Sequence, residues 1–305
     1  MKKTERKLNL DIAGIVSELE LLMKKVLPRN IFWRIVLGRG LEFDGYRDYT
    51  FNDDAVNIDW KASVRGGRTL IRKYVEERDL KFMFFVDVGD NMVFGSTEKL
   101  KCEYIAEMVS ALSHLILVSG DRFGFVLFND GVVKAVMPKM GKKQFEILVY
   151  ELSNPMTYGG KSDLNNILKG FIDTLDRNTS MVFLVSDFVD MDESYKKNLE
   201  MLSSIFETVA IIVRDPLDIR MPEINKEVVI SDPENDRSML INPKVAKNAY
   251  EKNSLEQMSI VKGIFRDYGI DFLELMTNES SSQKIAEFLT ARIKSGRKVR
   301  VENVY

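Results

Sequence analysis

The sequence predicts an α/β protein, a doubly wound, mostly parallel sheet with helices on both faces. Three observations predict it. Phe82–Val86 is an unbroken apolar run, the pattern of a strand buried on both faces. Further short apolar runs alternate with segments of helical spacing, which is the signature of a parallel sheet with helical crossovers. Two of those runs end in acids, Asp87 and Ser186-Asp187, and the carboxyl edge of an open α/β sheet is where ligands bind.

Taken in order, Leu8–Leu27 carries apolar residues at helical spacing (Ile12, Ile15, Leu19, Leu22, Val26) and predicts an amphipathic helix ending before Pro28. Either it docks on the core or it meets a partner. Ile31–Asp79 is rich in Gly, Arg, Asp and aromatics and is broken by Asp44-Gly45, Asn52-Asp53 and Gly66-Gly67. It predicts an irregular arm of short strands and loops, with Thr69–Val75 the clearest strand. The α/β pattern starts at Leu80. Helix Glu98–Ser119 follows the first strand, then strand Phe123–Phe128 and a hairpin turn at Asn129-Asp130-Gly131 into Val132–Val136. Helix Lys142–Leu152 comes next. A turn-rich loop, Asn154–Lys161, leads through an N-cap at Ser162 or Asp163 into helix Leu164–Leu175. Strand Met181–Val185, helix Tyr195–Phe206 and strand Thr208–Val213 follow, then a polar stretch with a short strand near Val228–Ile230. Helix Pro243–Tyr268, strand Asp271–Leu275 and helix Gln283–Ile293 complete the chain. The tail Ala291–Arg300, with Arg292, Lys294, Arg297, Lys298 and Arg300, reads as a solvated basic end or as a contact for an acidic partner. Two units are expected: 1–79, the helix and β-rich arm, and 80–305, the α/β domain. The arm has too few apolar residues to fold alone.

Composition narrows the function. With 305 residues the chain can bury a full core, and a net charge of −2 lacks the basic excess of a nucleic-acid binder. A single cysteine, Cys102, excludes an intrachain disulfide and fits a reducing compartment. The charged start and the lack of a long apolar run lead us to expect a soluble, cytoplasmic protein with no membrane insertion. One histidine, His114, within a largely apolar helix, and one cysteine leave little material for nucleophilic catalysis. Gly159-Gly160-Lys161-Ser162 ends like a phosphate loop, but Pro155 stands where that pattern needs glycine.

Asp87, Asn91, Ser162 and Asp187 each adjoin a strand end or the loop leading into a helix. A carboxylate pair, an amide and a hydroxyl at one sheet edge suit a hard divalent cation such as Mg²⁺. The other reading makes Asp87 and Asp187 helix caps or loop braces. Asp87-x-Gly89-x-Asn91, the Gly159–Leu164 loop and Ser186-Asp187-Phe188 resemble the three-part metal-ion-dependent adhesion site of von Willebrand factor type A domains. Arg47-Asp48-Tyr49 … Asp53 … Ile58-Asp59-Trp60, followed by Glu76–Asp79, resembles the signature of the family called domain of unknown function 58, which joins this arm to a type A-like sheet. Several positions depart from these patterns. Gly89 and Asn91 stand where the adhesion site has serines, Ser162 where it has threonine, and Asn52 where the signature has glycine; Asp90 adds a carboxylate.

The resemblance implies a non-enzymatic interaction adaptor working with a MoxR-type AAA+ ATPase through a degenerate metal site, with Mg²⁺ as its cofactor. It also makes Arg47, Tyr49, Asp59 and Trp60 candidate partner contacts, since Arg and aromatics dominate interface hot spots. A second reading takes Tyr49 and Trp60 as a satellite core and Asp59 as an ion-pair partner of Lys61 or Arg65. A metal-dependent hydrolase using Asp87, Asp90 and Asp187 is the alternative function. If Asp187 lies on a solvated edge, losing it should spare the fold. Serine at positions 89 and 91 should strengthen metal binding.

Overall fold

The computed structural model describes residues 7–25, 42–50, 58–75, 80–231, 238–295 and 300–301. Val26, Pro28, Asn52, Asp53, the Glu76–Asp79 run, Arg297 and Lys298 lie outside the described residues. In chain order the elements are α1 (Ile12–Lys24), β1 (Glu42–Asp48), α2 (Trp60–Gly66), β2 (Leu70–Val75), β3 (Lys81–Asp87), α3 (Lys101–Val118), β4 (Arg122–Phe128), β5 (Val132–Lys139), α4 (Lys142–Ser153), α5 (Leu164–Phe171), β6 (Met181–Ser186), α6 (Lys196–Ile205), β7 (Glu207–Arg214), α7 (Pro216–Ile219), β8 (Val228–Ser231), β9 (Ser238–Ile241), α8 (Pro243–Asp267), β10 (Asp271–Met276), α9 (Ser281–Ser295) and β11 (Arg300–Val301).

Strand β3 lies inside a seven-stranded sheet of order β11-β10-β7-β6-β3-β4-β5. Every pairing is parallel except the β4–β5 hairpin at one edge. Each residue from Phe82 to Val86 is fully buried. Alternate side chains enter opposite layers. Phe82, Phe84 and Val86 join the layer formed with α1, α3, α4 and α9; Met83 and Phe85 join the layer formed with α5, α6 and α8. Burying one such side chain contributes about 2 kcal/mol, so this strand alone supplies stabilisation comparable to the net stability of a domain. Register aligns aromatics across strands: Phe84 pairs with Phe183, and their rings stack with centroids 4.7 Å apart.

The chain runs from β3 to β4 and β5 on one side, then returns to place β6, β7, β10 and β11 on the other. Strand order therefore reverses between β3 and β6, and their carboxyl ends open into a crevice there. Helix α3 covers one face and α6 and α8 the other, as right-handed crossovers in opposite directions require.

Helix α1 docks on α3: the backbone N–H groups of Asn9 and Asp11 donate to the carboxylates of Glu103 and Glu107, and Leu19 and Met23 are buried. The arm forms its own two-stranded sheet, β1 antiparallel to β2. It also holds helix α2, which the turn-rich composition hid. The Asp59 carboxylate caps that helix by accepting from the Ala62 N–H, and Gly67 closes it in the left-handed conformation. Strand β5 runs past Val136 and through Pro138, which an edge strand tolerates. Helix α5 ends at Phe171, short of Leu175. Strands β8 and β9 pair antiparallel in a separate two-stranded sheet. No helix among the described residues is long and apolar enough to cross a membrane.

The reading of the tail as a solvated end is corrected at Arg292. Its side chain is fully buried and pairs with Glu207 and, at 3.0 Å, with Asp271. Arg300–Val301 extends the sheet beside β10. Helical spacing puts Arg292 on the core face of α9, where acids at the starts of β7 and β10 receive it. Arg292→Ala would strand those acids, and urea unfolding should show a loss of about 3–5 kcal/mol. A loss below ~1 kcal/mol would rule out this role.

Candidate functional site

The crevice collects the four candidate ligands. Asp87, Asn91, Ser162 and Asp187 all line it, together with Ser186, Phe188, Val189, Asp190 and Tyr195, around a cavity of about 20 Å³. Asp90 does not line it; its backbone N–H donates to the Gly160 carbonyl instead. Ser186 and Asp190 are the oxygen donors that sequence reading passed over, although Ser186 adjoins Asp187 at the end of β6.

Three segments build the site. Asp87 closes β3 and is 1% exposed. Its Oδ1 accepts from the Gly89 N–H at 2.9 Å, and its Oδ2 accepts from the hydroxyls of Ser162 and Ser186, each at 2.7 Å. Ser162 is delivered by the Gly159-Gly160 loop, where both glycines take positive φ and the Asn129 amide donates to the Gly159 carbonyl at 2.8 Å. Asp163 is the N-cap of α5, its carboxylate accepting from the Asn166 N–H. Asp187 follows β6, and the next residue, Phe188, has φ 53°. That conformation costs a phenylalanine about 1–2 kcal/mol. Buried packing of Phe188 against the Phe265 ring holds it, as does the Gln257 amide, which donates to the carbonyls of Phe188 and Val189.

Burial first, and the charge of Asp187 second, push the Asp87 carboxyl up to about 6 despite its three donors. Asp187 is treated differently. Its Oδ2 meets the ammonium of Lys101, itself 2% exposed, at 2.7 Å, and its Oδ1 accepts from the Val189 N–H at 3.2 Å. Lys101 reaches Asp218 as well, at 3.2 Å. Burial alone would lower the lysine, but the carboxylates of Asp187 and Asp218 outweigh it and hold the ammonium above its ordinary value. The ring of Phe94 covers the ammonium at 5.8 Å. Asp218 accepts from the Asp215 N–H, and the Arg214 guanidinium donates to the Asp218 carbonyl. Asp215 in turn receives the Ser96 N–H and hydroxyl, the Leu217 N–H and the Thr277 hydroxyl.

This arrangement does not fit Mg²⁺, which demands near-octahedral oxygen ligands and keeps several waters. Every carboxylate oxygen of Asp87 and Asp187 is already engaged by a protein donor, and the cavity has room for about one water. No group of three His, Cys, Asp or Glu side chains suited to a metal occurs among the described residues. Position 89 does not readily take the missing serine. A Cβ there would lie 3.2 Å from Asp87 Oδ1, from the Gly160 carbonyl oxygen and from Ser162 Cβ, so the loop would have to give way.

Arg47, Tyr49, Asp59 and Trp60 lie on the β1–α2–β2 unit and line none of this crevice. Asp59 is engaged as the α2 cap and accepts from the Tyr46 hydroxyl at 3.2 Å. The satellite-core reading is corrected for Trp60, which is 67% exposed. Tyr46, Asp59, Lys61, Ala62, Arg65 and Leu70 line a separate cleft of about 350 Å³.

A mostly parallel sheet, wound in both directions from an oxygen-lined crevice, defines a doubly wound α/β protein. Residues 45–259, more than half the chain, match the model of the family described as Protein of unknown function DUF58, and the chain belongs to that family. An uncharacterized protein of Mycobacterium tuberculosis is 23% identical over 290 residues, spanning 92% of this chain and 90% of the relative. A protein of Mycobacterium bovis matches equally. Similar solved structures include the conserved hypothetical protein BatB from Bacteroides thetaiotaomicron (TM-score 0.46, 9% identity, 71% of this chain and 99% of that one). They also include a von Willebrand factor type A protein from Catenulispora acidiphila (TM-score 0.38, 10% identity, 73% of this chain and 44% of that one).

Two outcomes follow from the geometry. Asp187 is buried and ion-paired, so the expectation that its loss spares the fold is corrected. Asp187→Ala leaves Lys101 half-compensated, and chemical denaturation should show a loss of about 3 kcal/mol; a change within ~0.5 kcal/mol, the range of a surface substitution, would contradict this. Asp87 holds its proton more tightly folded than unfolded. Its contribution to stability is therefore full below pH 3.8 and falls as pH rises to about 6. Calorimetry across that window should show the wild type losing Tm relative to Asp87→Asn, with a constant difference above it. A difference that does not vary with pH would refute the assignment.

Proposed function

We propose that this chain is a non-enzymatic interaction adaptor that engages a protein partner at the crevice edge of its sheet, and that the partner is a MoxR-type AAA+ ATPase. The observation that carries the reading is the make-up of the crevice mouth. Val189 lines the crevice yet is 39% exposed, and Phe94, over Lys101, is 40% exposed. Val93, on the same loop as Phe94, is 46% exposed. Apolar side chains held out beside a satisfied polar floor are the composition of an interface centre. Family membership supports the reading, and the choice of ATPase rests on the resemblance of the arm signature. A partner of that class places the work in the cytoplasm.

The chain's reactive groups are committed elsewhere. Burial pushes the Cys102 thiol up to about 12, far from a usable thiolate. His114 contacts Glu20 of α1 at 2.9 Å and packs its ring on Phe145 of α4. Exposed Trp60 and the cleft beside it make the arm a second contact surface in this reading.

Biolayer interferometry with the purified ATPase of the same host tests the proposal. Val189→Asp should weaken binding about tenfold or more, and Phe94→Ala should weaken it measurably. Trp60→Ala reports on the arm. Wild-type affinity in both crevice variants would remove the crevice edge from the proposal.

A further inference from the structure

We infer that Lys101 is the resident cation of this crevice, so that the site works with an ammonium built into the chain and without a divalent ion. Four observations carry this. Lys101 reaches the crevice through Asp187, and it is almost wholly buried, 2% exposed. A buried ammonium is costly unless it is paired, and this one lies 2.7 Å from Asp187 and 3.2 Å from Asp218. The pairing turns Asp187 Oδ2 toward α3, where the lysine stands at the first position of the helix. Finally, the hydroxyls and position 89 offer an ion little. Gly89 has no side chain to give, and the hydroxyls of Ser162 and Ser186 are turned onto Asp87.

The lysine does mechanical work that a free ion would otherwise do. Asp187 follows β6, Asp218 sits in α7 after β7, and Lys101 opens α3 after β3. One ammonium therefore ties together the loops that follow three parallel strands. Arg214, near Asp218, extends the link to Ser254 on α8, to which it donates at 3.1 Å. Gly89 brings no side-chain oxygen to the crevice, and an internal ammonium needs none there.

Without Lys101, Asp187 loses its ammonium and Asp218 is left with Arg214, whose Nε lies 3.8 Å away, so an added divalent cation becomes the means of neutralising the excess negative charge. The full chain is titrated with Mn²⁺ and with Mg²⁺ by calorimetry, and Tm is followed with each ion and with chelator. The wild type should show no saturable binding at millimolar ion and no shift in Tm. Lys101→Met should be less stable, gain Mn²⁺ binding about tenfold or more tighter than the wild type, and recover Tm with Mn²⁺. Lys101→Arg, which keeps the charge, should gain neither, and Lys101→Met with Asp187→Asn should lose the gain. Saturable wild-type binding that Asp187→Asn abolishes would overturn the inference. So would a folded Lys101→Met that binds Mn²⁺ no better than the wild type. If Lys101→Met does not fold, the wild-type titration decides alone. None of these readouts involves the ATPase, so the adaptor reading and this one can fail separately.

Discussion

Strand β3 has to be covered on both faces, and most of the architecture follows from that constraint. Phe82, Phe84 and Val86 point one way and Met83 and Phe85 the other, so neither face can meet water. A layer of helices is needed on each side. Parallel neighbours joined by helical crossovers supply those layers, and the chain must wind away from β3 in both directions to do so. Winding both ways leaves a gap in the cover at the carboxyl ends of β3 and β6. The crevice is the geometric remainder of that requirement.

Gathering acids at such a gap is unfavourable in itself, and the structure resolves it differently for each one. Asp87 takes hydroxyl and backbone donors and is driven toward its neutral form. Asp187 lies 2.7 Å from a buried ammonium. Asp215, fully buried, is surrounded by N–H and hydroxyl donors. The same solution recurs away from the crevice, where Lys262 meets Glu274 and Arg292 meets Asp271 within the core. Among the described residues these buried pairs join neighbouring elements and pin them to one another.

Much of the site was legible before the fold was known. Asp87 and Asp187 stand out because each ends an apolar run, and a period-two strand must deliver the residue after its last buried position to the edge. Ser162 stands out because glycines and an N-cap flag the loop that carries it. Lys101 gave no such signal. It sits beside Cys102 at the head of a helix like any solvated lysine, and its role depends on Asp187 and Asp218, which are 86 and 117 residues away. Arg292 was hidden for the same reason, in a run of basic residues that composition alone assigns to solvent.

The sequence by itself determined the main alternation of strands and helices from β3 to α9, the two-sided burial of β3 and the delivery of Asp87, Ser162 and Asp187 to one edge. These follow from local periodicity and from turn and cap chemistry, which act over a few residues. Only the tertiary structure decided which charges meet. Pairing of Lys101 with Asp187, burial of Arg292 against Asp271, and exposure of Trp60 depend on how distant elements pack. A side chain's solvation is a property of its surroundings in space, and neighbours along the chain do not report it.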